Sequence, residues 1–395
     1  TAAGGASTTC PPAAPSTSRP PAAPSSSFPS GAAPSSFTLA QTVATLPILG
    51  LDAATLAATV DAACSDVFRL RLVPAARNGS AEPAPTPPYT VPPSLFAGGL
   101  EPAPCPSGGP PRYVVTVKHD PFAVHVGASG DAGDGGAPLF DTTGTRLVVK
   151  ARFTEFTTAL HPASTLFGLG ERTGGLVVER GGGGGCGGGD GSGGAAAAAP
   201  RTIWARDRPA SFPGENLYGA WPAWMEVLPS GSARGGLVVS GTALDVVARP
   251  ASLTFRSTGG VVDVFIFAGP SPAAVMDQLT RVVGRPALPP AWSLGIHQSR
   301  WGYTSLADLA GVVAGYEAAG LPLDVVWSDI DHMDGGRVFT LAPDRYPPAA
   351  VRAFLEGLHG RGQRWVPILD PGIKAEAGYA AWEAGLAAGA FLRGG

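Results

Sequence analysis

Three carboxylates stand within six residues of one another in the run VVWSDIDHMDGGRVF (325–339), at Asp329, Asp331 and Asp334. They follow an apolar stretch that contains a large aromatic ring. Crowded carboxylates repel one another and resist burial, so they occupy a solvated turn or serve something placed at that point. Asp370 ends a second apolar run, RWVPILD, and Arg300 and Trp301 follow a third, SLGIHQS. His297 lies inside that third run and reads as a packed core histidine rather than a catalyst. Other chemistries find little support. The four cysteines, at 10, 64, 105 and 186, show neither paired metal-ligand spacing nor a C-x-x-C motif, which speaks against zinc and thioredoxin-like redox sites. Up to two disulfides could form, in three connectivities. The glycine block at 181–200 lacks the Lys of a phosphate-binding loop and reads as an inserted flexible loop.

The elements that must hold these side chains change character along the chain. Residues 1–36 are nearly all Ala, Pro, Ser, Thr and Gly, a composition expected to form a disordered tail. From there to residue 285 the pattern is β. DVFRLRLV (66–73), RYVVTVKH (112–119), FAVHV (122–126), RLVVKARF (146–153), GGLVVSG (235–241) and VVDVFIFAG (261–269) are short and rich in β-branched or aromatic residues. Turn residues separate them, and no helical period lasts before Ala273. This predicts a β-sandwich over 37–285.

After GRPALPPAW (284–292) the grammar alternates. SLGIHQS (293–299) reads as a buried strand. TSLADLAGVVAGYEAAG then places Leu306, Leu309, Val313 and Tyr316 on one helical face, with Ser305 and Asp308 as a capping pair and Gly320 and Pro322 as stops. LDVVWSD is a second strand. Pro347 and Pro348 open a helix carrying Val351, Phe354, Leu355 and Leu358, and RWVPILD (364–370) is a third strand. Such β-α-β-α-β order predicts parallel strands joined by helices. Asp329, Asp331 and Asp370 then share one rim with Arg300 and Trp301, the carboxyl end of the strands, where an α/β barrel builds its sites. A helix cap or a structural salt bridge is the rival reading for each.

Bulk properties narrow the function. The 27 basic and 30 acidic residues nearly balance, for a formal charge of −3. No basic face is advertised, so nucleic acid and acidic membranes are poor partners. No run approaches the ~18–20 apolar residues of a membrane-spanning helix. Asn78-Gly79-Ser80 matches a glycosylation sequon, which carries weight only if the chain is secreted.

FGLGER (167–172), NLYGAWPAWME (216–226), GRPALPPAWSLGIHQSRWGY (284–303), LPLDVVWSDIDHMDGGRVFT (321–340) and ILDPGI (368–373) occur in this order. Together they resemble glycoside hydrolase family 31, the group of α-glucosidases, maltases and acid α-glucosidase, over residues 40–395. The resemblance implies a β-sandwich followed by a (β/α)8 TIM barrel, here its first three βα units over 286–395. It implies that Asp329 accepts hydrogen bonds from hydroxyls of the non-reducing sugar, as suits an ionised carboxylate with two strong acceptor oxygens. Trp301, Ile330 and Ile368 would wall that subsite, and Asp207, in WARDRP (204–209), would touch the sugar or the one beyond it. Plain core is the rival for Trp301 and Ile368, and a turn residue beside Pro209 the rival for Asp207. The Trp221 and Trp224 pair reads as packing rather than as a separate sugar platform. The substrate implied is an α-glucoside, maltooligosaccharide or starch-like chain, with no metal or organic cofactor. A secretory or vacuolar/lysosomal-type compartment fits the family.

The family's double displacement needs a nucleophile within a W-x-D-M-N-E-like stretch and a second carboxyl about 5–5.5 Å away. No such stretch occurs in these residues. The chain is therefore expected to be an N-terminal portion, a truncated copy or gene-model fragment of a longer enzyme, inactive alone. A non-catalytic carbohydrate-binding protein is the alternative.

Overall fold

The computed structural model describes residues 25–29, 32–40, 55–62, 64–74, 112–119, 121–129, 137–150, 152–181, 200–211 and 214–391. The chain divides into two units, Thr1–Arg285 and Pro286–Gly395.

Strands dominate the first unit. In chain order they begin with β1 (Ser25–Pro29), β2 (Ala32–Ala40), β3 (Thr55–Ala62), β4 (Val67–Pro74), β5 (Tyr113–His119) and β6 (Phe122–Ala128). β7 (Phe140–Asp141), β8 (Val148–Lys150), β9 (Phe153–Ala159), β10 (Thr165–Gly168) and β11 (Arg201–Ile203) follow. β12 (Ala223–Val227), β13 (Ala233–Val238), β14 (Leu244–Arg249), β15 (Ser252–Ser257) and β16 (Val262–Phe267) complete the set. They form three sheets, ordered β1-β5-β6-β7, β10-β12-β13-β16-β4-β3-β2 and β11-β14-β15-β9-β8. The described pairings in this unit are antiparallel, for example Val264 opposite Leu70 and Phe255 opposite Phe156.

Alternation decides which side chains reach the core. In β9 every second residue is buried, Thr154, Phe156 and Thr158, as a half-covered strand requires. β16 is buried at every position. Val262, Val264 and Ile266 enter the main core with Leu70, Phe156 and Phe255, while Phe265 and Phe267 face a second cluster with Val275 and Val282 of α1 (Pro272–Val283). An apolar run with no polar alternation thus has a helix on one side and a sheet on the other. Ser271 caps that helix by accepting from the Ala274 N–H at 3.2 Å, with Pro272 in its first turn.

Three expectations are corrected in this unit. Strands β1 and β2 begin inside the stretch expected to be a disordered tail. Backbone pairing to β5 and β3 supplies their hydrogen bonds whatever their side chains are, so a poor hydrophobic composition does not exclude an outer strand. RLVVKARF is not one strand: β8 ends at Lys150 and pairs back on β9, Val149 opposite Thr154. Trp224 is buried in the core and Trp221 is exposed, so only the first of that pair is packing. Cys64 is buried and disulfide-bonded, and the other three cysteines lie outside the described residues, as do Asn78 and the glycine block over 182–199.

The second unit runs β17 (His297–Gln298), α2 (Leu306–Ala318), β18 (Val325–Ser328), α3 (Pro348–Gly360), β19 (Arg364–Pro367) and α4 (Ala380–Ala387). Its strands form an open parallel sheet in that order. The Ser305–Asp308 capping box is complete in both directions. Leu309, Val313 and Leu358 pack with Val326 and Leu323 in one cluster. The expected buried strand over 293–299 is instead a 3-10 turn, Ala291–Leu294, leading into two strand residues. β17 pairs on one side only within this sheet. His297 is accordingly exposed rather than packed in a core, with its Nδ1 accepting from Trp327 Nε1 at 2.9 Å. Among the described residues no helix is long and apolar enough to cross a membrane.

Candidate functional site

The parallel register brings three of the expected site residues to one end of the sheet. Ser328 pairs with Pro367, and the Ile368 N–H donates to the Ser328 carbonyl at 2.9 Å. Asp329 and Ile368 therefore leave neighbouring strands at the same level, followed by Ile330 on one side and Asp370 on the other. Val325 and Val326 are buried beneath, so the apolar run anchors the strand and its polar end reaches the surface.

Asp329 opens a 3-10 turn, Ile330–His332, and its carboxylate accepts the Ile330 N–H at 2.7 Å. Its carbonyl accepts from His332 Nδ1 at 2.8 Å, a bond that requires the proton on that nitrogen. His332 is buried edge-on against Tyr346 and Trp365. Trp365 in turn donates from Nε1 to Ser328 Oγ at 2.8 Å. The backbone that carries Asp329 is thus pinned from beneath, while its side chain is half-buried.

Asp331 reaches sideways rather than outward. It accepts the Gly302 N–H at 2.9 Å, the residue directly after Trp301. Gly302 adopts φ 107°, a conformation that glycine alone takes without a steric penalty. The turn so fixed presents Trp301 with 72% of its surface exposed, which rules against a plain core role within the described residues. Ile330 is also exposed and Ile368 half-buried. Asp334 pairs with Arg337, which also reaches Glu376 at 3.4 Å, and Lys374 meets Glu376 at 2.8 Å. Those charges tie the loop after β18 to the loop after β19. The carboxylate and the two isoleucines thus stand at the carboxyl ends of β18 and β19, and the exposed ring follows β17, which supplies apolar surface and a hydrogen-bond acceptor on one edge of the sheet.

Asp207 belongs to the first unit, in the loop after β11, where it is exposed. Tyr218 Oη donates to its Oδ1 at 2.6 Å, and that bond raises the phenol pKa above its ordinary value. Arg208 Nε meets Glu215 Oε2 at 2.6 Å, and the Arg206 N–H donates to the Leu217 carbonyl at 2.7 Å. The loop folds back on itself, and Arg208 holds the Glu215 carboxyl below its usual range. Asp207, two residues before Pro209, thus has a fixed partner within its own loop.

Two contacts of the candidate residues have no local signal in the sequence. Tyr218 stood inside the quoted NLYGAW run, but nothing in its spacing named Asp207 as its partner. Asp331 was placed on the rim with no sign that it holds the Trp301 turn. Among the described residues no group of three or more His, Cys, Asp or Glu is arranged to hold a metal ion.

Residues 286–395 match the family model for the glycosyl hydrolases family 31 TIM-barrel domain. The chain is 36% identical over 364 residues to a protein of Oryza sativa subsp. japonica named a probable alpha-glucosidase, covering 88% of this chain and 38% of that protein. It is 38% identical to Alpha-xylosidase 1 of Arabidopsis thaliana, covering 65% of this chain and 26% of the relative. The chain thus spans well under half the length of these relatives. The solved structure of the glucosidase II alpha subunit superposes with a TM-score of 0.66 at 18% identity, over 85% of this chain and 42% of that one, a likeness of fold.

Proposed function

We propose that this chain, which belongs to glycoside hydrolase family 31, carries the sugar-binding part of an α-glucosidase-like active site. The parent reaction is retaining hydrolysis of non-reducing terminal α-linked glucose from oligo- or polysaccharides. Its architecture on this reading is a β-sandwich over 37–285, interrupted at 181–200, then the first three βα units of a (β/α)8 barrel over 286–395. Antiparallel sheets in the first unit and the parallel β17–β19 sheet with its helices support that assignment.

One observation carries the functional reading: Asp329, Ile330 and Ile368 meet at the carboxyl end of adjacent parallel strands. Asp329 keeps acceptor capacity beyond its own cap, since a carboxylate has about four lone-pair sites. It accepts from sugar hydroxyls, while Trp301, Ile330 and Ile368 offer apolar surface to the ring faces. Asp207, in the first unit, is a further sugar-contact candidate on the family resemblance alone. A retaining enzyme sets its nucleophile and acid about 5–5.5 Å apart; no W-x-D-M-N-E-like stretch occurs in this sequence, and no residue of it is assigned to either role.

That same absence supports a second reading, a carbohydrate-binding protein without turnover. The test is saccharide binding and turnover by the 395-residue chain. Maltotriose should perturb tryptophan emission, and Asp329→Ala should abolish the change while the fold persists. No release of p-nitrophenol from its α-glucoside is expected from the chain alone. A response to α-xylosides and none to maltotriose would move the substrate class, and no saccharide response at all would sink the reading.

A further inference from the structure

The Asp207 loop is built from three segments of the first unit lying side by side. Segment 169–173 zips against 214–223: Leu169 N–H to Ala223 O at 2.8 Å, Trp221 N–H to Gly170 O at 2.7 Å, and Glu171 N–H to Gly219 O at 2.9 Å. Gly168 must precede this zipper as glycine, because its φ is 102° and a Cβ there would lie 2.4 Å from the Ala223 carbonyl oxygen. Segment 202–208 lies against the other side of 214–218 through the Arg206–Leu217, Arg208–Glu215 and Asp207–Tyr218 contacts.

Arg172 reaches across all three. Its Nη1 donates to the Thr202 carbonyl at 2.9 Å and to Asn216 Oδ1, and its Nη2 donates to the Gly214 carbonyl. Thr202 lies on the leg that leads to Asp207, and Asn216 on the leg that carries Tyr218. Thr202 is itself anchored to the five-stranded sheet, with Oγ1 donating to Asp245 Oδ1 at 2.6 Å. One planar guanidinium therefore holds both legs of the Asp207–Tyr218 contact and ties them to the end of β10. A lysine ammonium is a point donor on a flexible stem and cannot span acceptors on separate segments in this way. The other side-chain ties across these segments, Arg208–Glu215 and the Gly219 N–H to Glu171 Oε2, lie at the surface, where water and salt weaken such contacts.

We propose that Arg172 is a positioning residue: through Thr202, Gly214 and Asn216 it sets the loop register in which Tyr218 meets Asp207, and so places the Asp207 carboxylate. The consequence for sugar recognition rests on the reading of Asp207 given above; the positioning itself does not.

The experiment compares the 395-residue chain with Arg172→Lys, Arg172→Ala, Asn216→Ala and Tyr218→Phe. With ring-labelled tyrosine, NMR follows the Tyr218 phenol, identified by its loss in Tyr218→Phe. In parallel, trypsin cleavage at the Arg206–Asp207 bond reports loop opening. In both Arg172 variants the Tyr218 titration should fall back toward that of ordinary tyrosine, and cleavage should speed up by about tenfold or more, as local opening becomes easier. The signals of Tyr113 and Tyr346 should stay in place. Asn216→Ala should move the same two readouts less. Should Arg172→Ala fail to fold, Arg172→Lys and Asn216→Ala carry the comparison. A folded Arg172→Lys chain with unchanged Tyr218 titration and cleavage overturns the proposal. Maltotriose separates the two readings: if it fails to slow cleavage of the wild-type loop while Arg172→Lys still releases Tyr218, the sugar contact falls and the positioning stands.

Discussion

In the first unit arginines reach buried carboxylates: Arg234 to Glu226 at 2.7 Å, Arg69 to Asp263 at 2.8 Å and Arg281 to Asp66 at 2.5 Å. In the second unit, among the described residues, the fully buried side-chain ties are neutral. Tyr346 Oη donates to the Tyr303 carbonyl at 2.6 Å, and Tyr379 Oη donates to the Val338 carbonyl. The difference matters for what breaks each unit. A buried ion pair contributes little net stability, yet losing one partner strands a charge. A neutral hydrogen bond strands only a dipole when it is cut.

The largest expected effect is therefore Arg234→Ala. Glu226 is 2% exposed and would keep only the His161 N–H and the Ser164 hydroxyl as donors. Loss of the partner should cost about 3–5 kcal/mol, read by denaturant unfolding of the first unit. The double change Glu226→Gln with Arg234→Met should recover most of that, since Gln retains acceptance from His161 and no charge is left behind. If the double variant is as unstable as the single one, stranded charge is not the cause and the contrast between the units fails.

Tyr346→Phe is the matching cut in the second unit. It leaves the Tyr303 carbonyl without its buried donor and should cost about 1–3 kcal/mol. It should also loosen the ring stack beneath Asp329, since His332 packs edge-on against Tyr346. Hydrogen exchange at the His332 and Met333 amides reads that local effect. Ser305→Ala ranks below it, at about 1 kcal/mol for a lost N-cap, confined to the first turn of α2.

The sequence showed the two units with unequal clarity, for physical reasons. Asp329 is legible as a strand end because the apolar run stops there, whereas the third strand, expected to reach Asp370, ends at Pro367. The capping pair Ser305–Asp308 was legible because its partners are local. Arg172 and Thr202 are thirty residues apart, Tyr218 and Asp207 eleven, and no local pattern encodes such pairings. β8 and β9 read as one strand in sequence because RLVVKARF carries no glycine or proline to mark a break. β1 and β2 were missed because pairing through the backbone leaves no mark in composition. His297 was assigned to a core on the strength of apolar neighbours, without knowing that β17 pairs on one side only.

The smallest effect expected is also the sharpest test of the contrast. The carboxylates of Glu215 and Asp308 both have pKa values below the ordinary range, for different reasons. For Glu215 the first cause is the hydrogen bond from Arg208; for Asp308 it is the hydrogen bond from Thr304, followed by that from Ser305. In both cases the folded pKa lies below the unfolded one. Each contribution is therefore full above the unfolded value, about 4, and is lost as pH falls through the folded pKa. Their response to salt should differ. The Arg208–Glu215 attraction is between surface charges and is screened within about 3 Å at 1 M salt, whereas the Asp308 cap is held by neutral donors at contact distance. The protection factor of the Arg206 amide, its observed exchange taken against the intrinsic rate at the same pH, should fall on acidification at low salt, and already be lowered at neutral pH in high salt. The protection factor of the Asp308 amide should fall on acidification alike at both salt levels. Equal salt sensitivity at the two amides would mean that the loop clamp is no more electrostatic than the helix cap.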